Sequence, residues 1–175
     1  MRNLIDWIRK LSLGFNIIGG TALILTMVIV LIEVLTRTIF GLTGGAVDLT
    51  FNGSFELVRH GMMITFAYSM PYCLARGQVV VDIFTDRWSD RIKSVMSGFY
   101  TLLFGIFGFL MTVRLIESAH SASMSGETTQ DLALSMDNIY YIAALGMFML
   151  GMRGFALAWE QMFFDDHSQT TGDTL

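Results

Sequence analysis

Residues 11–32 of the chain read LSLGFNIIGGTALILTMVIVLI, and no ionisable side chain interrupts them. An α-helix rises about 1.5 Å per residue, so this stretch is long enough to cross a hydrocarbon layer of roughly 30 Å. Lys10 precedes the stretch and Glu33 follows it directly. The stretch therefore predicts a transmembrane helix and places the chain among membrane proteins.

Three further apolar stretches follow, at residues 61–75, 94–113 and 138–152, each with apolar flanks that lengthen it. The composition agrees, since 53% of the residues are hydrophobic, 15% are charged and the mean hydropathy is +0.57. A soluble domain usually carries about a quarter charged residues. We predict an all-α integral membrane protein with a single domain at residues 1–164 and four transmembrane helices, at about residues 11–36, 55–75, 94–115 and 137–160.

The N-terminal segment does not have the pattern of a cleaved signal peptide. Its apolar run is too long, and no small-residue cleavage site follows before Glu33. We therefore expect the first helix to remain in the mature protein. Cys73 is the single cysteine, which excludes an intrachain disulfide and predicts a small core or lipid-facing residue.

The distribution of Lys and Arg predicts the orientation in the membrane. With four spans, the N-terminal segment and the link between the second and third helices lie on one side, and these two segments carry Arg2, Arg9, Lys10, Arg76, Arg87, Arg91 and Lys93. Such residues favour the cytoplasm, so both termini are predicted to be cytoplasmic and the two outer loops are acidic. No basic patch is interleaved with aromatic residues, so nucleic acid is not expected as a partner.

Two amphipathic segments predict short helices in the headgroup region, in addition to the spans. In residues 1–11 the apolar Leu4, Ile8 and Leu11 oppose charged residues, and in residues 79–93 Trp88 and other apolar residues recur at helical spacing. Aspartates at steps of four in the second segment form a row along a solvated face, which does not predict a metal site. Residues 118–137 are rich in Ser, Thr and Gly, which predicts an exposed outer loop with a helical turn over residues 130–136. Residues 165–175 are polar and are predicted to form a disordered cytoplasmic tail.

Ionisable residues beside the spans are candidates for function. Glu33 and Arg37 lie one helical turn apart, and Glu56, Arg59 and His60 open the second helix on the same predicted outer side. Two interpretations remain open: each set neutralises itself, or it contacts a partner chain. Arg114 and Arg153 are interpreted as interfacial anchors. Close helix approach is predicted at Gly19, Gly20, Gly98, Gly105, Gly108, Gly146, Gly151 and Gly154.

No nucleophile with a base at a recognisable spacing and no glycine-rich phosphate loop is present, so the sequence predicts neither an enzyme nor a cofactor or metal site. Three hypotheses remain. Without an internal repeat, four helices favour an accessory subunit of a transporter. His60 and His120 could ligate haem in a four-helix membrane anchor of an oxidoreductase. A self-sufficient channel or small exporter is the third.

Three motifs resemble those of a known family. They are EVLTRTIFG at residues 33–41, FEL at residues 55–57 and ARGQVVVD at residues 75–82, in an order and spacing that cover most of the chain. They are similar to the small, Q-type (DctQ-like) membrane subunit of tripartite ATP-independent periplasmic (TRAP) transporters. The chain departs from that pattern at Gln78, where histidine is frequent, at Pro71, and at residues 135–137, which read SMD.

The resemblance implies a secondary uptake system in three parts, of bacteria or archaea, and in bacteria its place is the inner membrane. A periplasmic binding protein captures the solute, commonly an organic acid, and a large membrane subunit carries the substrate and sodium sites. The small subunit braces the large one and offers a surface for docking. On this view Arg37 and Glu56, with Glu33 and Arg59 beside them, contact the large subunit or shape the docking face. Arg76, Gln78, Asp82 and Trp88 belong to the cytoplasmic interfacial helix.

Overall fold

The computed structural model describes residues 2–49, 51–74 and 90–163, which form four helices. They are α1 (Arg2–Leu42), α2 (Ser54–Cys73), α3 (Asp90–Ser125) and α4 (Met136–Phe163). Within these ranges no strand forms, and an isolated bridge joins Thr128 to Ser135. The prediction of an all-α protein is confirmed at this level.

Three of the helices are long and apolar enough to cross a membrane, over Asp6–Leu42, Val95–Ser125 and Met136–Met162. They correspond to the first, third and fourth predicted spans. Helix α2 does not meet the same criterion, and its first two turns carry Glu56, Arg59 and His60. The second span therefore remains a prediction.

The structure corrects two predicted boundaries and leaves two predictions untested. The N-terminal segment is not a separate helix, because α1 runs without a break from Arg2 through the first span. Residues 118–125 are helical rather than a loop, since α3 continues to Ser125, and residues 130–132 form a turn. Most of the second interfacial helix and the tail at residues 165–175 lie outside the described residues, while residues 90–93 form the start of α3.

The helices pack side by side in the order α1, α2, α4, α3. Helix α4 is central, because it packs along α3 and α2 and touches α1 lightly, whereas the described parts of α1 and α3 do not touch. The core is built from small residues and a few larger ones, including Ala67, Ala143, Ala144, Ala158 and Leu150. Small side chains let helices approach closely, which is how helices associate where lipid already solvates apolar groups.

Glycines bring α3 and α4 into backbone contact. A Cβ atom built on Gly154 would lie 2.5 Å from Gly105 Cα, and one built on Gly108 would lie 2.5 Å from Gly151 N. The predicted close approach is thus confirmed there, but it was wrong for Gly20, where an added Cβ atom would meet no group of another helix within 4 Å. The glycines of α3 and α4 therefore set the distance between these two helices.

One aromatic side chain connects three helices. Tyr68 of α2 stacks on Phe15 of α1 with ring centroids 4.9 Å apart, and its hydroxyl donates to the carbonyl oxygen of Ile142 in α4 at 3.1 Å. Tyr68 is buried, so its hydroxyl requires such a partner. The tyrosine therefore connects α2 to both α1 and α4.

Candidate functional site

The ion pair anticipated on α1 is formed. Nη2 of Arg37 lies 2.9 Å from Oε1 of Glu33, one turn earlier in the helix. The two side chains differ in exposure, at 19% for Glu33 and 69% for Arg37, so the carboxylate faces the protein and most of the guanidinium faces outward. The glutamate precedes the arginine, which is the favourable order for such a pair on a helix.

A cavity of about 230 Å³ lies beside this ion pair. It is formed where the C-terminal half of α1 meets the chain segment that leads into α2 and the loop between α3 and α4. We call residues 126–135 the α3–α4 loop. The cavity lining combines charged, amide, hydroxyl and aromatic groups from Glu33, Arg37, Phe51, Asn52, Gly53, Ser54, Phe55 and Asp131. The cavity thus carries two carboxylates and one guanidinium.

Glu56 binds the α3–α4 loop with both carboxylate oxygens. Oε1 accepts a hydrogen bond from the backbone N–H of Asp131 at 2.9 Å, and Oε2 accepts one from that of Leu132 at 3.1 Å. Hydrogen bonds from backbone N–H groups to a carboxylate are charge-assisted and stronger than neutral ones. Glu56 therefore holds this loop against the start of α2, although 75 positions separate it from Asp131.

The remaining residues named at the start of α2 do not join this arrangement. Arg59 is exposed, and Nδ1 of His60 lies 2.8 Å from the carbonyl oxygen of Glu56, one turn back in the same helix. His120 lies exposed on α3. No group of three or more His, Cys, Asp or Glu side chains in the described ranges is placed to hold a metal ion.

Arg153 differs from its prediction as an interfacial anchor. It is 5% exposed within α4, and its Nε and Nη1 atoms are buried without a hydrogen-bond partner among the described residues. Arg9 and Glu160 are close enough to interact with it electrostatically. Arg9 belongs to α1 and Tyr72, a further electrostatic neighbour, belongs to α2, so Arg153 lies on the face of α4 that is turned toward these two helices. Arg114, by contrast, is exposed and pairs with Glu117 at 3.0 Å.

The predicted cytoplasmic interfacial helix is not part of the described residues. Its four assigned residues are Arg76, Gln78, Asp82 and Trp88.

Sequence reasoning missed two residues of this region: Asp131, which completes the cavity, and Gly53. A Cβ atom on Gly53 would lie 2.8 Å from Cδ2 of Leu132. No local motif marks either residue, because both roles depend on contacts between segments distant in the chain.

The comparisons with known proteins give one family. A model of the family described as tripartite ATP-independent periplasmic transporters, DctQ component, matches residues 26–164. This range contains the ion pair, the cavity residues, Glu56 and the α3–α4 loop. No curated protein and no solved structure matches the chain significantly.

Proposed function

The chain belongs to the DctQ component family of TRAP transporters, and from this premise we propose that it braces the large, solute-translocating subunit and helps a periplasmic binding protein to dock. It is a small membrane subunit of such a transporter. The main support for this proposal is the family match. Two structural features agree with it: the exposed apolar faces of α1 and α3, which stand at the two ends of the row of helices, and the charged cavity near the loops.

The exposed faces of α1 and α3 support the bracing role. On the side of α1 away from α2, Ile17, Ile24 and Leu31 recur every seven residues and are more than half exposed. On α3, Leu103 and Leu110 are similarly placed and exposed. In a bilayer these faces meet lipid or another membrane subunit. A row of four helices offers more such surface than a closed bundle, which suits a brace.

We propose that α2 is the second of four spans and that both termini are cytoplasmic, in the bacterial inner membrane. Helix α2 lies between two apolar helices: Gly19 of α1 packs on Ser69, and Gly146 of α4 packs on Ala67. The Lys and Arg residues of the N-terminal segment favour the cytoplasmic side. The cavity and the α3–α4 loop then face the periplasm.

The transported solute is proposed to be an organic acid or a similar small compound, taken up with sodium by the large subunit. The cavity of this chain lies at the ends of the helices rather than between their midpoints. Solute sites of secondary transporters lie near the bilayer midplane. The contribution of this chain is therefore to support the large subunit and to help the periplasmic binding protein to dock.

The test is reconstitution with and without this chain. Tagged chain co-expressed with the large subunit of the same transporter is expected to copurify with it in mild detergent. Proteoliposomes holding both subunits, with solute-loaded binding protein outside and an inward sodium gradient, are expected to accumulate the solute. Omission of the small chain should abolish uptake. Full uptake by the large subunit alone, or solute flux through the small chain alone, would contradict the proposal.

A further inference from the structure

We propose that the α3–α4 loop is a preformed docking surface, and that its partner presents basic residues around an apolar contact. The inference rests on the proposed function and specifies the chemistry of the binding protein's docking face. Three observations support it: the loop is fixed internally, it is held by Glu56, and its outward side chains combine carboxylates with apolar groups.

The loop is fixed by its own hydrogen bonds. The backbone N–H of Thr129 donates to the carbonyl oxygen of Leu134 at 2.8 Å, and the N–H of Leu134 donates to the Thr129 hydroxyl at 3.0 Å. The N–H of Met136 donates to the carbonyl oxygen of Glu127 at 3.1 Å. Thr129 is buried beneath the loop, so its hydroxyl acts as an internal support.

Glu56 fixes the loop from another helix. Its two carboxylate oxygens are both occupied by loop N–H groups, and the neighbouring Gly53 leaves just enough space for Leu132. A loop that is already ordered loses less conformational entropy when a partner binds. Glu56 is accordingly a positioning residue: it shapes the surface through the loop N–H groups that its carboxylate binds.

The groups that remain outward define the partner. Glu127 and Asp131 are exposed acidic residues of the loop, and beside them Leu134 is 46% exposed and Met124, at the end of α3, is 79% exposed. An apolar centre with a charged rim is the usual anatomy of a protein interface. This surface therefore suits a protein that brings an apolar contact and a basic rim.

The charge of the surrounding segments points the same way. The two loops at this end, residues 43–53 and 126–135, contain Asp48, Glu127 and Asp131 and no Lys or Arg. Arg37 at the end of α1 is paired with Glu33, and Arg59 at the start of α2 is an exposed cation, so acidic residues still outnumber basic ones at this end. Opposite charges across an interface accelerate encounter and set orientation, and salt weakens this effect. A basic docking face is complementary, and an acidic one would be repelled.

The experiment measures the initial uptake rate of the complete complex in proteoliposomes against the concentration of solute-loaded binding protein. The double variant E127Q/D131N is expected to raise the half-saturating concentration about fivefold, as the loss of two rim charges implies, with an unchanged maximal rate. Glu56→Gln should raise the half-saturating concentration as well, because the amide NH2 group cannot accept a hydrogen bond from the loop N–H groups as a carboxylate oxygen does. Glu117→Gln, an exposed acid paired with Arg114, is the matched control.

The outcomes separate the inference from the proposed function. If wild-type uptake does not depend on the binding protein, the proposed function fails. If it does depend on it, but E127Q/D131N leaves the half-saturating concentration unchanged, the inference is overturned. If that variant does not assemble, the half-saturating concentration of the wild-type complex is measured with and without added choline chloride. The salt is expected to raise it. A half-saturating concentration that does not depend on salt would overturn the inference.

Discussion

At the residue scale, Glu56 and Arg153 each interact with residues far away in the sequence: Glu56 with the α3–α4 loop and Arg153 with Arg9 of α1. Glu56 carries a motif position and was expected to contact a partner or to shape the docking face. The structure shows that its carboxylate accepts hydrogen bonds from the backbone of Asp131 and Leu132, a contact within the chain that the motif does not predict. Arg153 was expected at a membrane surface and lies buried. The residues next to Glu56 in the sequence do not indicate its hydrogen-bond partners, and those next to Arg153 do not indicate its burial.

Arg153→Met is expected to stabilise the isolated chain. The substitution keeps most of the side-chain volume while it removes two buried nitrogen atoms that have no hydrogen-bond partner among the described residues. The charge that it removes is attracted by Glu160 and repelled by Arg9. A buried donor left without a partner costs about 1–3 kcal/mol, which exceeds the attraction of the guanidinium to the partly exposed Glu160. Thermal unfolding in detergent should show a midpoint higher by a few degrees.

Arg114→Met is the control for this prediction, because Arg114 is exposed and its ion pair with Glu117 contributes little. Its unfolding midpoint should stay close to that of the wild type. A midpoint lowered by Arg153→Met would mean that the guanidinium group has a stabilising partner in the isolated chain.

At the scale of the helices, the hydropathy of the sequence predicted the positions of α1, α3 and α4 correctly, but it did not predict where these helices begin and end. Helix α3 runs to Ser125 through polar residues that read as a loop, and α1 includes the amphipathic start. Helical hydrogen bonds form between near neighbours whatever the side chains face. A change from apolar to polar residues therefore marks the edge of a membrane, and a helix can continue beyond it.

Gly154→Ala is expected to destabilise the pairing of α3 and α4, whereas Gly20→Ala is not. The added methyl group at Gly154 would meet the backbone of Gly105 at 2.5 Å, while nothing lies within 4 Å of the position at Gly20. Overpacking typically costs about 1–3 kcal/mol, and alanine in a helix gains about 0.5–1 kcal/mol over glycine. Unfolding midpoints of both variants in the same detergent measure the difference.

The two glycine variants are matched in chemistry and differ in contact. A tolerated Gly154→Ala would show that α3 and α4 can separate without loss, and that their close approach is not required for stability. Equal destabilisation by both variants would point to a general intolerance of alanine rather than to packing.

At the scale of the whole molecule, the row α1, α2, α4, α3 leaves its two end helices with apolar faces that no other part of the described chain covers. Such an arrangement buries less than a closed bundle would. A partner subunit that covers one of these faces would add contacts that the chain lacks on its own.

Photo-crosslinking in the assembled complex tests this arrangement. A benzophenone side chain at Ile24 or at Leu110, on the exposed faces of α1 and α3, is expected to crosslink to the large subunit from at least one position. The same group at Leu150, which is buried between the helices, should not reach that subunit. A crosslink from Leu150 alone, or none from either exposed face, would contradict the proposed bracing role.

The sequence by itself determined that this is a helical membrane protein and which family it belongs to, because hydropathy and short motifs are read along the chain without knowledge of contacts. It also identified the ion pair of Glu33 and Arg37, whose members lie one turn apart. Only the tertiary structure decided that Glu56 holds the α3–α4 loop, that Asp131 completes a cavity with α1, and that Arg153 is buried. These depend on the packing of segments distant in sequence, and that packing is set by the joint fit of all four helices rather than by any local pattern.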